Sequence, residues 1–391
     1  MSRRLAVVVH RYGPEVDGGS EALARRVALG LAGDDEVEVW TSCARDYLSW
    51  RNELPPGVSS DGPLRVRRFP VDRPRRIRWF GRLTQRLVAG PHTRESEIRW
   101  MVRQGPRVGG LVEALRREGR AFDAVLFFTY LYYPAFFGMR EVADRAVLVP
   151  TAHDEPPLYF GIFDEMFESA PGFVFQTPEE RDLVRRRFSI RPRAETVAGA
   201  SLTAPDGLDP GSFRRKFGLE GPLVLCVGRV DRVKGAVHLA EAFLEYRARG
   251  GEGTLVFVGV VRAVLPSDPS IRCLGWIDEK DKWNGLAAAD VSVIASPYES
   301  LSLAFLESAA VGTPVLAYGA SAVLTGQCAR LGVGVTFPDW PSFAAVLDAL
   351  MRDPARRASL GANGRAGVAA LPSWDAVLGA YRDVIDGVRC R

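Results

Sequence analysis

The chain has 391 residues, roughly two to three times the length of a usual single domain, so two domains are expected. Its composition, 47% hydrophobic, 25% charged and 10% aromatic, is that of a soluble folded protein and excludes a disordered, fibrous or coiled-coil chain. The 51 Lys and Arg against 47 Asp and Glu leave a formal charge of +4, too near balance to point to nucleic acid, and none is expected as a partner.

Along the chain, continuous Val/Leu/Ile/Phe runs of strand length are each followed by turn residues and an amphipathic stretch. That alternation signifies buried parallel strands with crossover helices. The first half contains Leu5–His10, Val37–Thr41, Ala124–Tyr130, Ala146–Thr151, Gly172–Gln176 and Glu195–Ala198; the second contains Leu223–Val227, Thr254–Val258, Ile271–Gly275, Val291–Ala295, Pro314–Ala317 and Gly334–Phe337. The fold class is therefore α/β, with two doubly wound Rossmann-like domains. The Gly-, Pro-, Ser- and Asp-rich stretch Gly199–Gly211 is the expected hinge, which divides the chain into domains 1–203 and 204–373. An amphipathic terminal helix is expected over 374–391.

Five cysteines, widely spaced and without a CxxC pair, offer neither a disulfide framework nor a zinc knuckle and fit a reducing compartment. Only Leu5–Val9 is apolar after Arg3 and Arg4, too short for a secretory leader, so a cytoplasmic location is expected. The longest uncharged run, Ala124–Met139, would span about 24 Å as a helix against a hydrocarbon core of about 30 Å, and Pro134 interrupts it. It is not a membrane span.

Between Arg65 and Arg107, thirteen arginines face only Asp72, Glu95 and Glu97, with Trp79, Phe80 and Trp100 interleaved. Two readings stand side by side: a solvated basic insertion, or a contact with an anionic acceptor or with the anionic inner face of a membrane.

Ligands of open parallel sheets bind beyond the carboxyl ends of the strands, so the loops there carry the chemistry. After the first run comes Arg11-Tyr-Gly-Pro-Glu-Val-Asp-Gly-Gly-Ser-Glu21, in which Gly18 and Gly19 allow close backbone approach before a helix expected from about Glu21. It is not GxGxxG, and a plain turn fits it equally. After Leu223–Val227 comes Gly228-Arg229-Val-Asp-Arg-Val-Lys234-Gly235, whose Arg229 fork and Lys234 point charge suit a diphosphate, the alternative being surface pairing with Asp231. After Val291–Ala295 comes Ser296-Pro-Tyr-Glu299-Ser-Leu-Ser-Leu-Ala-Phe-Leu-Glu307, with one glutamate on the loop and one in the helix that Ser300 or Ser302 is placed to cap. Acceptors for sugar hydroxyls beside donors for phosphate are what a nucleotide sugar needs. Paired carboxylates also occur in glycosidases, but an adjacent Arg/Lys phosphate site speaks against that.

The spacing Glu299 to Glu307 within Pro-Tyr-Glu-Ser-Leu-Ser-Leu-Ala-Phe-Leu-Glu, together with Gly-Arg-x4-Lys-Gly at 228–235, resembles the retaining glycosyltransferases of family 4. The amino-terminal half shares Gly18-Gly19-Ser20-Glu21 and Thr151-Ala-His153-Asp154 with them. The resemblance implies a GT-B fold, two Rossmann-like domains facing each other across a cleft, with helix 374–391 returning to the first. It implies that Arg229 and Lys234 bind the donor diphosphate, that Ser302 and Leu303 offer amides to it, and that Glu299 contacts the donor sugar and Glu307 the ribose. It also places Trp276 or Ile277 beside the base. His153, with Arg229, Lys234 and Glu299, belongs to the catalytic set; Gly18, Gly19, His153 and Asp154 lie on the acceptor side, with Gly19 near the donor as well.

The implied reaction moves a hexose from a UDP- or GDP-linked sugar to a hydroxyl acceptor with retention, in cell-envelope glycan, glycolipid or natural-product glycoside synthesis. It uses no cofactor beyond the nucleotide sugar and no metal, since neither a flanked Asp-x-Asp nor an HxxxH spacing is present. A sugar-nucleotide epimerase, a phosphorylase and a non-catalytic nucleotide-sugar-binding subunit are the alternatives. Two departures stand out: Glu299-Ser-Leu-Ser replaces the commoner Glu-Gly-Phe-Gly, and Ala198-Gly199-Ala200-Ser201 replaces Asn-Gly-Val-Asp before the hinge.

Overall fold

The computed structural model describes residues 2–16 and 18–389; Asp17, Cys390 and the last residue of the expected terminal helix lie outside them. The chain forms two compact units, residues 1–199 with 374–391, and residues 200–373.

The first unit runs β1 (Arg4–Val8), α1 (Gly19–Leu31), β2 (Glu36–Ser42), β3 (Gly57–Asp61), β4 (Leu64–Phe69), α2 (Ile77–Ala89), α3 (Arg94–Gln104), α4 (Gly109–Glu118), β5 (Ala124–Phe128), α5 (Tyr133–Gly138), β6 (Ala146–Val149), α6 (Ile162–Glu168), β7 (Gly172–Phe175), α7 (Pro178–Arg187) and β8 (Ala194–Val197). Its eight strands lie in the order β3-β4-β2-β1-β5-β6-β7-β8, and every pair is parallel except the β3–β4 hairpin. Every residue of β5 and β6 is buried, because helices cover both faces of the sheet there.

Several expected strands extend past the observed ladders. Val9–His10, Thr129–Tyr130 and Pro150–Thr151 stay buried after pairing has ended, so burial outlasts the strand. Similarly α1 opens at Gly19 rather than at Glu21. The hairpin was not expected. Its inner strand alternates at first, with Leu64 and Val66 buried and Arg65 exposed between them, so part of the basic stretch is strand rather than solvated insertion.

The second unit runs α8 (Pro210–Phe217), β9 (Leu223–Val227), α9 (Ala236–Ala248), β10 (Thr254–Val258), β11 (Ile271–Gly275), α10 (Glu279–Ala288), β12 (Val291–Ile294), α11 (Leu303–Val311), β13 (Val315–Tyr318), α12 (Ala322–Leu331), β14 (Gly334–Phe337), α13 (Trp340–Met351) and α14 (Pro354–Ala369). Its six strands are all parallel, in the order β11-β10-β9-β12-β13-β14. One core layer, including Leu239, Phe243, Phe343 and Leu347, packs α9 and α13 on one face, while Phe305, Leu306 and Ala309 of α11 enter a layer of their own.

The last helix, α15 (Trp374–Arg389), belongs to the first unit. Its buried residues Val377, Leu378, Tyr381, Val384, Ile385 and Val388 recur at helical spacing and join the core over α1 and the sheet.

Candidate functional site

In each sheet, two adjacent strands send their following helices in opposite directions, and that switch point opens a crevice at the carboxyl ends. In the second unit it falls between β9 and β12, which pair directly. The loop 228–235 leaves β9 and the loop 296–302 leaves β12, so residues 65 positions apart meet: Lys234 Nζ lies 2.7 Å from Glu299 Oε1. The backbone N–H of Lys234 donates to Asp231 Oδ1 at 2.7 Å, and Arg229 Nε is 3.4 Å from Asp231 Oδ2. Asp231, 8% exposed, thus braces the loop as well as taking the pairing foreseen for it.

Gly235 ends this loop at φ 76°, and a Cβ there would stand 2.3 Å from the carbonyl oxygen of Ala295. Gly235→Ala should therefore destabilise the protein by about 1–3 kcal/mol, because it adds left-handed strain and forces the β9 and β12 loops apart. A urea midpoint unchanged from the parent would contradict this close approach.

Helix α11 follows Ser302, which stands at the N-cap position without a side-chain cap bond, so Ser302 does not cap the helix in the expected way. Glu307, one turn further in, is 12% exposed at its side chain and pairs with Lys282 Nζ of α10 at 2.7 Å. Lys282 also lies 2.8 Å from Glu279. Burial alone would lower the Lys282 ammonium, but the two carboxylates outweigh it and hold its pKa above the usual lysine value. Burial pushes the Glu307 carboxyl up against the pull of Lys282. Lys282 was missed in the sequence, where Glu279-Lys280-Asp281-Lys282 reads as an ordinary charged helix surface.

Trp276 follows β11 and is 67% exposed, leaving an aromatic face open, whereas Ile277 is half-buried against the apolar layer around Leu223 and Leu286. Of the two, only Trp276 presents a broad free surface.

In the first unit, the switch point lies between β1 and β5. Buried His10 follows β1, its Nε2 is 2.9 Å from Glu21 Oε1, and its ring stacks on Tyr132 at 3.8 Å between centroids. Arg11 pairs with the same carboxylate, and Ser20 Oγ donates to Glu21 Oε2 at 2.8 Å. The backbone of Gly18 is extended, but a Cβ there would stand 2.1 Å from Glu21 Oε2, so a buried carboxylate accounts for the glycine. At Gly19 no described residue beyond its chain neighbours lies within 4 Å of such a Cβ, which leaves room for close approach there. His10 and Glu21 were not foreseen as a unit; the His eleven residues before a Glu in the first turn of a helix was the available signal.

His153 lies on the loop after β6. Its Nδ1 is 3.2 Å from Glu155 Oε1, which also accepts from Tyr130 Oη at 3.2 Å. Asp154 is exposed and accepts from Tyr159 Oη at 2.6 Å. Glu180 clamps this loop from α7 by accepting from the Ala152 N–H at 2.7 Å and the Gln176 N–H at 2.6 Å. Burial pushes the Glu180 carboxyl up to about 7, although both amides pull it down. Thr129 and Thr151, at φ 69° and 47°, end β5 and β6 in strained conformations and share a 3.0 Å hydroxyl bond. Strain of this kind collects where a fold must present particular groups.

Much of the Arg65–Arg107 charge is neutralised locally. Arg65 pairs with Glu38, Arg67 with Glu118, Arg94 with Glu165, Arg99 with Glu95 and Arg107 with Asp72. Arg75 is half-buried against Trp50 and Phe80 and donates to the Gln104 carbonyl; desolvation lowers its pKa to about 10. Among the described residues no group of three or more His, Cys, Asp or Glu is placed to hold a metal ion, and no helix is long and apolar enough to cross a membrane. Cys43, Cys226, Cys273 and Cys328 are free thiols.

The fold these units define is GT-B. Sucrose-phosphate synthase from Thermosynechococcus elongatus matches with a TM-score of 0.72 at 20% identity, over 98% of this chain and 99% of that one. Anabaena HepE, in complex with UDP and glucose, matches with a TM-score of 0.69 at 14% identity over 98% and 99%. Residues 212–367, within the second unit, match the family model described as Glycosyl transferases group 1. The chain is 29% identical over 204 residues to the GDP-mannose-dependent monoacylated alpha-(1-6)-phosphatidylinositol monomannoside mannosyltransferase of Corynebacterium glutamicum, a match covering 48% of this chain and about half, 53%, of the relative. It is 26% identical over 391 aligned positions, 91% of this chain and 88% of the relative, to D-inositol 3-phosphate glycosyltransferase 1 of Catenulispora acidiphila.

Proposed function

We propose that the protein is a glycosyltransferase, of the retaining family 4 type, that moves a hexose from a UDP- or GDP-linked donor to a hydroxyl acceptor. The observation that carries this reading is the meeting of Lys234 and Glu299 at the β9–β12 switch point, with Arg229 on the same loop as Lys234 and Glu307 one turn into α11. The match of 212–367 to a glycosyltransferase family model supports it.

On this reading, the donor diphosphate takes Lys234 from Glu299 and draws Arg229 and the Ser302 and Leu303 amides towards it. Glu299 is then free to accept from a hydroxyl of the donor sugar, Glu307 takes the ribose, and Trp276 lies against the base. The bond between the anomeric carbon and the β-phosphate oxygen breaks, its electron pair staying on the phosphate. The acceptor oxygen bonds to the same face of that carbon and its proton passes to the leaving phosphate. Arg229 and Lys234 meet charge that grows as the bond lengthens, which is where binding energy becomes rate. These cations supply the neutralisation, so activity should survive EDTA.

His153, held by Glu155, together with Gly18, Gly19 and Asp154, forms the acceptor side. The basic stretch 65–107 suits an anionic acceptor or an anionic membrane face, with the enzyme working from the cytoplasm. GDP-mannose is the donor to try first, given the name of the Corynebacterium relative. Thermal unfolding with UDP, GDP, ADP and TDP and their hexose conjugates tests the donor site: one nucleotide at a hundred times its Kd should stabilise by about 2.7 kcal/mol. That shift should vanish in Glu307→Ala. Stabilisation by none of them, or turnover without an acceptor, would overturn the reading.

A further inference from the structure

We infer that the cavity between the end of α2 and the outer face of α3 is a binding site for a phosphate group carried on a partly apolar molecule. The inference is independent of the donor-site reading. The cavity measures about 430 Å³, within the range of small-molecule sites, and Arg86, Arg99 and Arg103 line it together with Leu83, Leu87 and Pro91.

Arg99 and Arg103 are one helical turn apart on α3, and Arg86 enters from the last turn of α2. Arg99 has a single exposed partner, Glu95, at 3.5 Å. Arg86 and Arg103 make no ion pair or hydrogen bond with the described residues, so one carboxylate is set against three guanidiniums. The other polar groups of the wall are already engaged. His92 Nε2 is 2.9 Å from Glu97 and its Nδ1 is 3.0 Å from the Gly90 carbonyl, while Thr93 and Ser96 cap α3 reciprocally. Glu97 is buried behind His92 and accepts from the Ile162 N–H at 2.8 Å rather than pairing with the three arginines.

Three planar forks around one space match a tetrahedral anion, whose oxygens can be shared among them; a carboxylate would leave a fork unused. The Leu83, Leu87 and Pro91 wall receives whatever apolar group the phosphate carries. That group belongs either to a small phosphorylated molecule or to a phospholipid, for which exposed Trp79 and Val88 of α2 offer further apolar contact.

Pyrophosphate binding is measured by calorimetry on full-length Arg229→Ala/Lys234→Ala protein, so that the donor loop does not take the anion. Saturable binding is expected, weakened at least about tenfold by adding Arg86→Gln and Arg103→Gln and only partly kept by the corresponding lysine variants, which retain the charge but not the fork. In a second arm, phosphatidylcholine vesicles with and without phosphatidic acid are sedimented with the same proteins. Sedimentation that needs phosphatidic acid and both arginines identifies a lipid phosphate; saturable pyrophosphate binding without sedimentation identifies a small phosphorylated ligand. No saturable pyrophosphate binding, or binding and sedimentation that the glutamine variants leave unchanged, overturns the proposal.

Discussion

Lys234→Ala is expected to lower kcat/KM by about 10²–10³-fold, the loss that follows removal of one charge-stabilising donor, or about 3–4 kcal/mol of transition-state stabilisation. The fold should survive, because the Lys234 side chain is 32% exposed and the loop keeps the backbone bond from its N–H to Asp231. What remains is a Glu299 carboxylate without its cation, at a position only 12% exposed. Glu299→Gln separates the two effects: it leaves Lys234 for the diphosphate but weakens the contact proposed with the donor sugar, so kcat should fall while nucleotide affinity stays. Activity of Lys234→Ala within about threefold of the parent would remove the lysine from the chemistry.

That pair also marks how far the residues could be read in one dimension. The strands β9 and β10 are nearly continuous apolar runs bounded by turn residues, and their limits, like those of β11 and β14, are those of the sequence pattern. The hairpin is a different case. Gly57-Val-Ser-Ser-Asp61 is exposed almost throughout, and the arginines of β4 mask the two-residue alternation of Leu64 and Val66. Both glutamates and the Arg/Lys loop were visible from spacing, but their contact depends on strand order, since only the pairing of β9 with β12 brings 234 and 299 together. Lys282 was hidden because its i,i+3 neighbour Glu279 already explains it as a surface pair, and Glu307 reaches it from another helix. The burial of His10 likewise depends on Trp50 and Tyr132, which local pattern does not connect to it.

Removing the carboxylate at Glu21 should cost about 3–5 kcal/mol of stability, because it leaves buried Arg11 without its counter-charge and the buried His10 Nε2–H without its acceptor. The loss would appear as a lower urea midpoint in Glu21→Ala, and an unchanged midpoint would mean that the cluster is not a coupled unit. The same cluster sets an acid limit. Burial would raise the Glu21 carboxyl, but His10 and Arg11 more than reverse this and hold it well below the usual carboxylate range. Burial holds His10 below its usual value, and a neutral ring that donates through Nε2 to Glu21 leaves Nδ1 the acceptor, consistent with Nδ1 having no hydrogen-bond partner among the described residues.

The unfolded chain therefore takes up the His10 proton first, and stability drains away as the pH falls below about 6.5, at up to about 1.4 kcal/mol per unit. Below about 4.5 the Glu21 carboxylate adds a loss of the same sign. Glu180 acts in the opposite direction: raised to about 7 in the folded protein, it takes up its proton there first and adds stability as the pH falls from about 7 to 4.5. The absolute slope is thus a difference of two terms, and the decisive measurement is the slope of His10→Gln minus that of the parent. Glutamine keeps an N–H for Glu21 but has no proton to gain, so between pH 6.5 and 4.5 the variant should lose less stability than the parent. Identical slopes would show that His10 charges equally readily in both states, in which case burial beside Tyr132 does not govern its titration.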